Sequence, residues 1–418
     1  MRLGTAKTAI TPQSPLRLCG YAARKGPFNG VQQDIYVRVH WQEFEEGRLV
    51  FIYGDLLWWG EALVGRVRRR LREIWGLNQE EIYLMASHNH SGPPTGSRFT
   101  EDLETGNPAY EDWLMEAVVR TVQAAKEHLE EVTVQRFDGL ARLNVFRRKW
   151  EKGRILMKPD YGTEADSHLT AVSFRRADGS MKGCWVHYPC HANLSAGNQI
   201  HGDYPGELLR LLDSRERDCV SLFFQGCTGD LRPNCVAGDR FTAAGWEQVQ
   251  GFAARLAELT EELFGEEGRC VFPALSVKQA KIRLELENCV SNERLRELAE
   301  GPMNQISSQW ARSVLKSGNQ NWEELEISCV QYGPELVLLF FNGEMSQYYA
   351  DFARTIFPDT ICTAYTNGMI GYLMTEREIR EGGYEPRESA LYFGLAGTYR
   401  PEIEKEIQKG IASLISNR

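Results

Sequence analysis

Short apolar runs alternate with amphipathic segments along most of the chain, and this alternation restricts its fold more than any other feature. GRLVFIYG at 47–54, IYLMAS at 82–87 and ELVLLFFNG at 335–343 are typical of buried β-strands. Between the first two runs, residues 62–76 carry apolar side chains at helical spacing. The pattern predicts an α/β fold with a mixed, largely buried sheet and flanking helices.

The domain organisation is the next inference from this pattern. A polar, helix-prone stretch from about 289 to 324 interrupts the strand-rich sequence. No repeat or linker-like segment accompanies it, and the length of 418 residues suits one large domain as well as two smaller ones. We therefore interpret residues 1–418 as a single domain with a helical insertion at about 289–324.

Charge and composition exclude several classes of partner. A formal net charge of -9 argues against a nucleic-acid-binding protein. No apolar run is long enough to cross a bilayer, and the first residues lack the apolar core of a secretory signal. The 10 cysteines are spread through the chain without zinc-finger spacing, as expected for packed, reduced thiols. We expect a cytoplasmic protein that acts on a small-molecule substrate, with no nucleic-acid or membrane partner.

Polar side chains gather directly after the apolar runs, at four places in the sequence. Ligands in α/β sheets bind outside the carboxyl ends of strands, where loops of this kind converge. The four junctions are SHNHSGPP at 87–94, HYPCHANLSAGNQIHGDYPG at 187–206, QGCTGDLRPN at 225–234 and NGEMSQ at 342–347. We expect them to build one site.

Four of the 8 histidines fall in two of these loops, and this concentration favours a metal or acid–base site over surface histidines. His88 and His90 are two residues apart, so on an extended chain both rings face one side. His191 and His201 lie in the second loop, where His191 is the better ligand candidate. His187 lies inside the strand-like WVHY and is interpreted as a core histidine.

Two carboxylates complete the candidate set. Glu344 ends the most apolar run of the chain, where an unpaired carboxylate is costly to bury, so it either starts a helix or faces a cation. Asp203 either orients a histidine ring or a water, or caps a turn. Two histidines and a glutamate with an open position are a usual set for catalytic zinc, although manganese and iron accept the same ligands.

Several motifs, in order, resemble the neutral (non-lysosomal) ceramidases, zinc enzymes that hydrolyse the amide of N-acylsphingosine. The likeness covers roughly residues 1–400. It rests on GTAKTAITP, GYAARKGPFNGVQQDIYVRV, SHNHSGPP, HANLSAGNQIHGDYPG, FNGEMS and YTNGMIGYLMTEREIREGGYE. The resemblance implies one Zn²⁺ per chain, held by His88, His191, Glu344 and Tyr372, with His90 as a proton donor or substrate contact.

The resemblance also implies roles for Arg147, in NVFRR, and for Tyr384, which would line the pocket. The family's catalytic serine belongs to a Gly-(Asp/Asn)-x-Ser-Pro-Asn motif, and here Arg232 takes its place in GDLRPN. A guanidinium is always charged and offers a fork of donors for carboxylate or phosphate. We expect Arg232 to anchor an anionic or very polar part of the substrate. The alternative is an ion pair with Asp230 or Asp203.

These observations lead to one hypothesis and two alternatives. The chain is expected to be a zinc-dependent hydrolase of an N-acyl (amide) bond in a polar or anionic small substrate. Membrane ceramide is not the expected substrate, because the sequence shows neither a secretory signal nor the C-terminal β-sandwich domain of full-length ceramidases. The alternatives are a metal-dependent enzyme acting on a sugar derivative and a non-catalytic, ceramidase-like binding protein.

Overall fold

The computed structural model describes residues 1–415. The helices are α1 (Glu61–Trp75), α2 (Pro108–Glu127), α3 (Asp203–Asp213), α4 (Trp246–Phe264), α5 (Asn292–Ala299), α6 (Ile306–Lys316), α7 (Tyr348–Ile356), α8 (Glu376–Glu381), α9 (Ser389–Tyr392) and α10 (Ile403–Ile415). A 3₁₀ turn at Gln79–Glu81 and a π-helical turn at Tyr384–Glu388 complete the helical structure of the described residues.

The strands are β1 (Arg2–Ala9), β2 (Tyr36–Glu43), β3 (Arg48–Gly54), β4 (Ile82–Ala86), β5 (Glu130–Glu131), β6 (Thr133–Leu140), β7 (Asn144–Glu151), β8 (Arg154–Asp160), β9 (His168–Arg175), β10 (Met181–Tyr188), β11 (Leu222–Gln225), β12 (Leu231–Pro233), β13 (Val236–Ala237), β14 (Arg240–Phe241), β15 (Arg269–Val271), β16 (Leu275–Glu287), β17 (Trp322–Tyr332), β18 (Val337–Phe341), β19 (Glu344–Met345), β20 (Thr360–Thr363), β21 (Tyr372–Leu373) and β22 (Thr398–Tyr399). The α/β class predicted from the sequence is confirmed, with several mixed sheets in place of one.

Three five-stranded sheets form the body of the protein, in the orders β4-β3-β2-β1-β5, β11-β10-β9-β6-β15 and β20-β18-β17-β16-β22. Each sheet contains one parallel pair, and its other neighbours are antiparallel. The parallel pairs are β3 with β4, β10 with β11 and β18 with β20. A smaller sheet, β12-β7-β8, and the two-stranded pair β19-β21 lie beside them.

The alternating side chains of β3 explain how the sheets pack together. Phe51 and its neighbours two residues away face one core cluster, and the residues between them face the other. The Phe51 ring lies 5.4 Å from Trp185 of β10, 5.8 Å from Phe224 of β11 and 5.6 Å from Phe340 of β18. One residue therefore contacts all three sheets, next to their parallel pairs.

The carboxyl ends of these pairs converge through hydrogen bonds made by Gln225, the last residue of β11. Its side chain donates to the carbonyl of Ser87, just after β4, at 2.8 Å. Its carbonyl accepts from the backbone of Ala364, just after β20, at 3.0 Å. The loops that follow the strands are thereby brought to one place.

Helices α5 and α6 connect β16 to β17 and lie within the polar stretch at 289–324. The long strands that flank them were not predicted, because β16 reads LSVKQAKIRLELE and has no continuous apolar run. That the chain forms one domain with this insertion stays a prediction, which the core shared around Phe51 supports.

None of the described helices combines the length and apolar character needed to cross a membrane. The 10 cysteines of the sequence have free thiols, and most of them are buried.

Candidate metal centre

Three imidazoles meet at the carboxyl ends of the parallel strands. His88 and His90 follow β4, and His191 follows β10. The Nε2 atom of His88 lies 3.0 Å from that of His191 and 3.3 Å from that of His90, and the last two are 3.2 Å apart. We call these three residues the metal group, because their arrangement could hold a metal ion.

The opposite ring nitrogens show which tautomer the metal group adopts. Each Nδ1 faces a backbone carbonyl oxygen: that of Leu57 for His88 (3.2 Å), of Gly20 for His90 (3.1 Å) and of Thr228 for His191 (3.2 Å). A carbonyl only accepts, so Nδ1 of His88 and of His90 carries the hydrogen and their Nε2 atoms present lone pairs. Nδ1 of His191 also lies 3.4 Å from the donor Arg147 Nη1, and the shorter carbonyl contact favours the same tautomer there. Three lone pairs directed at one another repel, and a cation between them removes the repulsion.

Protonation does not supply that cation. Burial, together with the charges of the other histidines and nearby arginines, lowers the pKa of His90 and of His191 well below the ordinary value. Neutral imidazole is the form that binds metals. His90 and His191 are therefore kept in the metal-binding form near neutral pH.

Glu344 adds an oxygen to the metal group. Its side chain is 1% exposed, and Oε1 lies 3.5 Å from Nε2 of His88 and 3.7 Å from Nε2 of His191. That oxygen is shielded from solvent and has no hydrogen-bond partner in the described structure. Tetrahedral zinc with bonds of about 2.0–2.1 Å holds its ligand atoms about 3.3–3.4 Å apart. The separations among His88, His191 and Glu344 are close to this value.

The pairing of β19 with β21 places Tyr372 beside Glu344. The two strands are parallel, and Glu344 and Tyr372 are partners in the register. Arg147 donates from Nη2 to the Tyr372 hydroxyl oxygen at 3.1 Å. Burial and the Glu344 charge raise the pKa of Tyr372 well above its ordinary value. Tyr372 therefore lies next to Glu344, and its role as a metal ligand stays a prediction.

Arg147 is itself fixed by Glu385, which the sequence analysis missed. Its Nε donates to Glu385 Oε1 at 2.9 Å, and Arg148 donates to the other carboxylate oxygen. Burial opposes the charge of Arg147, but Tyr372 and Glu385 outweigh it and raise the pKa. Glu385 lies in the π-helical turn that also carries Tyr384, whose ring is 5.8 Å from that of Tyr372. The only available signal was the Tyr-Glu pair in the last motif.

Backbone strain was a second unpredicted feature. His88 has φ of 60°, in the left-handed region that residues other than glycine seldom adopt. Tyr365, with φ of 54°, stacks on the His88 ring at a centroid distance of 4.0 Å and shares a hydrogen bond with Thr228 Oγ1. Such conformations cost roughly 1–3 kcal/mol each and concentrate at functional sites.

Residues 20–24, near the amino terminus, hold His90 in place. The sequence analysis had given this segment no role at the site. Gly20 has φ of 91°, and a β-carbon added there would lie 2.6 Å from His90 Nδ1. The Tyr21 ring lies 5.0 Å from that of His90. Arg24 donates to the carbonyls of His90 and Gly197, at 2.8 Å each. This segment therefore packs over the imidazole and anchors its backbone.

Of the two roles considered for Asp203, the structure favours capping a turn over orienting a histidine ring or a water. Its φ is 50°, and its carboxylate accepts from the backbone N–H groups of Tyr204 (2.8 Å) and Ser195 (3.3 Å). Burial raises the pKa of Asp203 to about 6. Across residues 1–415 we find no hydrogen bond from this carboxylate to the metal group.

The structure does not show the alternative considered for Arg232, an ion pair with Asp230 or Asp203. Asp230 accepts hydrogen bonds from Ser346 Oγ and from the backbone of Gln347. Asp203 is committed to the turn described above. Among the described residues, no carboxylate forms an ion pair with Arg232, whose Nε is shielded from solvent without a hydrogen-bond partner.

Three buried histidines outside the metal group have structural contacts, and we call them the core histidines. They are His40, His187 and His201, and burial lowers the pKa of each to about 4. His187 was predicted to be structural. His201 was grouped with the other loop histidines, but its Nδ1 accepts from the backbone of Asp203 at 3.1 Å and its ring lies beside Trp246.

A mixed α/β fold with a buried group of three imidazoles defines the chain as a protein able to hold a metal ion. The family profile "Neutral/alkaline non-lysosomal ceramidase, N-terminal" matches residues 1–245, more than half of the 418 residues. The chain belongs to this family, as its motifs indicated.

Two solved structures share the fold over nearly the whole chain. They are the crystal structure of neutral ceramidase from Pseudomonas aeruginosa and a ceramidase complexed with C2. Each is 18% identical in sequence with a TM-score of 0.78, covering 99% of this chain and 74% of its own. No curated protein sequence matches the chain.

Proposed function

We propose that the chain is a zinc-dependent hydrolase that cleaves an N-acyl (amide) bond in a small polar or anionic substrate. The observation that carries this proposal is the meeting of three imidazole Nε2 atoms, with the unpartnered Oε1 of Glu344 at 3.5 Å from His88 and 3.7 Å from His191. Membership in the ceramidase family supports hydrolysis of an amide. Imidazole and carboxylate donors suit Zn²⁺, of which we propose one per chain.

His88, His191 and Glu344 are proposed as ligands on both the resemblance and the separations. The resemblance makes Tyr372 the fourth ligand and gives His90 a catalytic role. The separations favour His90 as a ligand, because its Nε2 lies within 3.3 Å of both other imidazole nitrogens. Zinc titration separates the assignments, since His90→Gln and Tyr372→Phe weaken zinc binding only where the deleted group is a ligand.

The chain's own residues would bind the substrate and move protons. Zinc at this position would polarise the substrate carbonyl and lower the pKa of a bound water to about 7. Arg147 holds the Tyr372 hydroxyl and keeps a positive charge beside the position of the carbonyl oxygen. The raised pKa of Tyr372 keeps its proton available in the zinc-free site.

The surroundings of the metal group suit a small substrate. His88, His191 and Glu344 are each 1% exposed, whereas His90 and Arg232 are only half-buried. The substrate would therefore enter past His90 and Arg232. Trp58, which is buried, packs beside His88, with the ring centroids 6.3 Å apart.

Metal content tests the proposal directly. Elemental analysis of the purified protein should find about one zinc per chain, and His191→Ala should lose it. His128→Ala is the matched control, since His128 is an exposed histidine at the end of α2. Release of acid from N-acetylated amines should follow the zinc content. A wild-type protein that takes up no metal when zinc is supplied would refute the proposal.

One observation favours a second candidate, the non-catalytic binding protein. Arg232 stands where the resemblance places the family's serine. If that serine is indispensable to hydrolysis, this chain binds substrate without cleaving it. Stoichiometric zinc, ligand-dependent stabilisation and no hydrolysis of any N-acyl compound would support this candidate.

A further inference from the structure

We propose that Arg232 is the centre of an anion-binding subsite next to the metal group, and that the substrate carries a carboxylate or phosphate bound there. The identity of the substrate rests on the proposed hydrolase function. Binding of the anion itself does not.

The guanidinium of Arg232 lacks a counter-charge among the described residues. The guanidinium contacts Met157 Sδ, which lies 3.9 Å from Nη1. Its central carbon lies 4.7 Å from the centre of the Phe241 ring. Nε is shielded from water and has no partner within residues 1–415. A guanidinium partly removed from water, without an anion, lowers the stability of the fold. A bound anion would restore the lost interactions.

The neighbouring arginines show that this environment is unusual. Arg147 and Arg148, on the adjacent strand β7, both form ion pairs with Glu385. Arg148 also lies within ion-pairing distance of Glu378. Their charges are compensated inside the protein by Glu385 and Glu378. The charge of Arg232 is left for a ligand.

Strand pairing directs Arg232 toward the candidate metal centre. Residue 232 of β12 is opposite Val145 of β7, so its side chain shares a face with that of Arg147. Arg147 Nη1 lies 3.4 Å from Nδ1 of His191, so this face of the sheet borders the metal group. Asp203 is committed to the turn, and Glu344 lies beside the metal group.

The free edge of the guanidinium determines the ligand chemistry. Nη1 faces Met157, which leaves Nε and Nη2 as a pair of parallel donors. Two parallel N–H groups match the two oxygens of a carboxylate or of a phosphate. A neutral amide or hydroxyl supplies one acceptor and no charge. The subsite therefore selects an oxyanion.

Anion titration tests the subsite alone. Acetate and inorganic phosphate would be titrated calorimetrically, at constant ionic strength, into full-length protein freed of metal by chelation, so that neither anion can bind zinc. The wild type should show one saturable site for at least one of them, and the preferred anion identifies the class. Arg232→Gln should weaken that affinity by about tenfold or more. Arg240→Gln, which removes an exposed charge on β14, should leave it unchanged.

Two results would overturn the subsite. One is no saturable binding of either anion to the wild type, and the other is equal affinity in Arg232→Gln. Arg232→Lys keeps the charge without the fork, so an intermediate affinity supports paired recognition. Thermal melts of each variant establish that it is folded before its affinity is compared.

Paired substrates then separate the failure of the subsite from that of the hydrolase. N-acetylglycine and N-acetylglycinamide differ in one carboxylate, and with zinc-loaded wild type the former should have the lower KM. Arg232→Gln should raise only the KM of N-acetylglycine, again by about tenfold. Equal KM values with hydrolysis intact refute the subsite and keep the hydrolase. Anion binding without hydrolysis of either compound keeps the subsite and refutes the hydrolase.

Discussion

Zinc should stabilise the protein by an amount that binding linkage predicts. Free zinc at a thousand times its dissociation constant adds about 4 kcal/mol to the free energy of unfolding. The unfolding entropy of a 418-residue chain is about 0.9 kcal/mol per kelvin, taking about 2.1 cal/mol per kelvin per residue. Zinc should therefore raise Tm by roughly 5 °C.

Replacing Glu344 by glutamine should make the protein more stable than wild type without zinc and less stable than wild type with zinc. Without zinc, Oε1 of Glu344 has no donor, whereas the new amide can donate to an Nε2 lone pair of His88 or His191. Relief of a buried, unpartnered carboxylate oxygen is worth about 1–3 kcal/mol, so the zinc-free variant should melt about 1–3 °C above zinc-free wild type. With zinc, a dissociation constant about a thousandfold weaker reduces the gain to about 0.4 kcal/mol, so the zinc-loaded variant stays less stable than zinc-loaded wild type.

Differential scanning calorimetry with a chelator and with excess zinc would measure all four melting temperatures. The expected result is a crossing, in which the variant is the more stable protein without zinc and the less stable one with zinc. Glu45→Gln, at an exposed position in the turn between β2 and β3, should follow the wild type under both conditions. An unchanged order of the two proteins would refute the view that Glu344 is left unpartnered for a cation.

Three further predictions concern charge, space and pH. Arg147→Met should lower the free energy of unfolding in urea by about 3 kcal/mol or more, because it breaks a buried pair with Glu385, whereas Arg232→Met should be neutral or stabilising. Gly20→Ala should weaken zinc binding in a titration with a competing chelator, because its β-carbon would displace the His90 ring. Stability should fall as the pH drops from about 6.5 through 4, because the core histidines have pKa values near 4 and contribute only above the unfolded value of about 6.5.

Each of these expectations has a contrary result. Equal destabilisation by Arg147→Met and Arg232→Met would mean that both charges are paired. A Gly20→Ala protein with unchanged zinc affinity would show that His90 is not positioned from that segment. Melting temperatures that stay constant between pH 6.5 and 4 would mean that the core histidines titrate alike in the folded and unfolded chain.

The sequence predicted those parts of the fold that depend on continuous apolar runs. The runs at 47–54 and 82–87 became β3 and β4, and the amphipathic segment at 62–76 became α1. Strands with half-exposed, charged faces gave no such signal, which is why β16 was missed. The division into three sheets could not be predicted either, because it depends on contacts of Phe51 with residues far away in sequence.

The site was predictable wherever a donor lies close to the end of an apolar run. His88, His191 and Glu344 all satisfy this condition, and Tyr372 was found only through the family motifs. Glu385 and Arg24 were missed because their roles are contacts with other site residues, which no local pattern encodes.

The arrangement of the strands explains why the candidate donors come from such distant segments. Each of the three sheets ends a parallel pair at the same place, and the loops after β4, β10 and β18 carry His88, His191 and Glu344 respectively. The shared core fixes those strands relative to one another, and hydrogen bonds between the loops, such as that from the backbone N–H of His90 to the carbonyl of Ala192 at 3.2 Å, hold the donor atoms close together. The left-handed conformation of His88 then turns its ring toward the common point, at a cost in backbone strain that a bound cation would offset. The fold thus sets the positions of the candidate donors, and the local backbone conformation sets the orientation of the His88 ring.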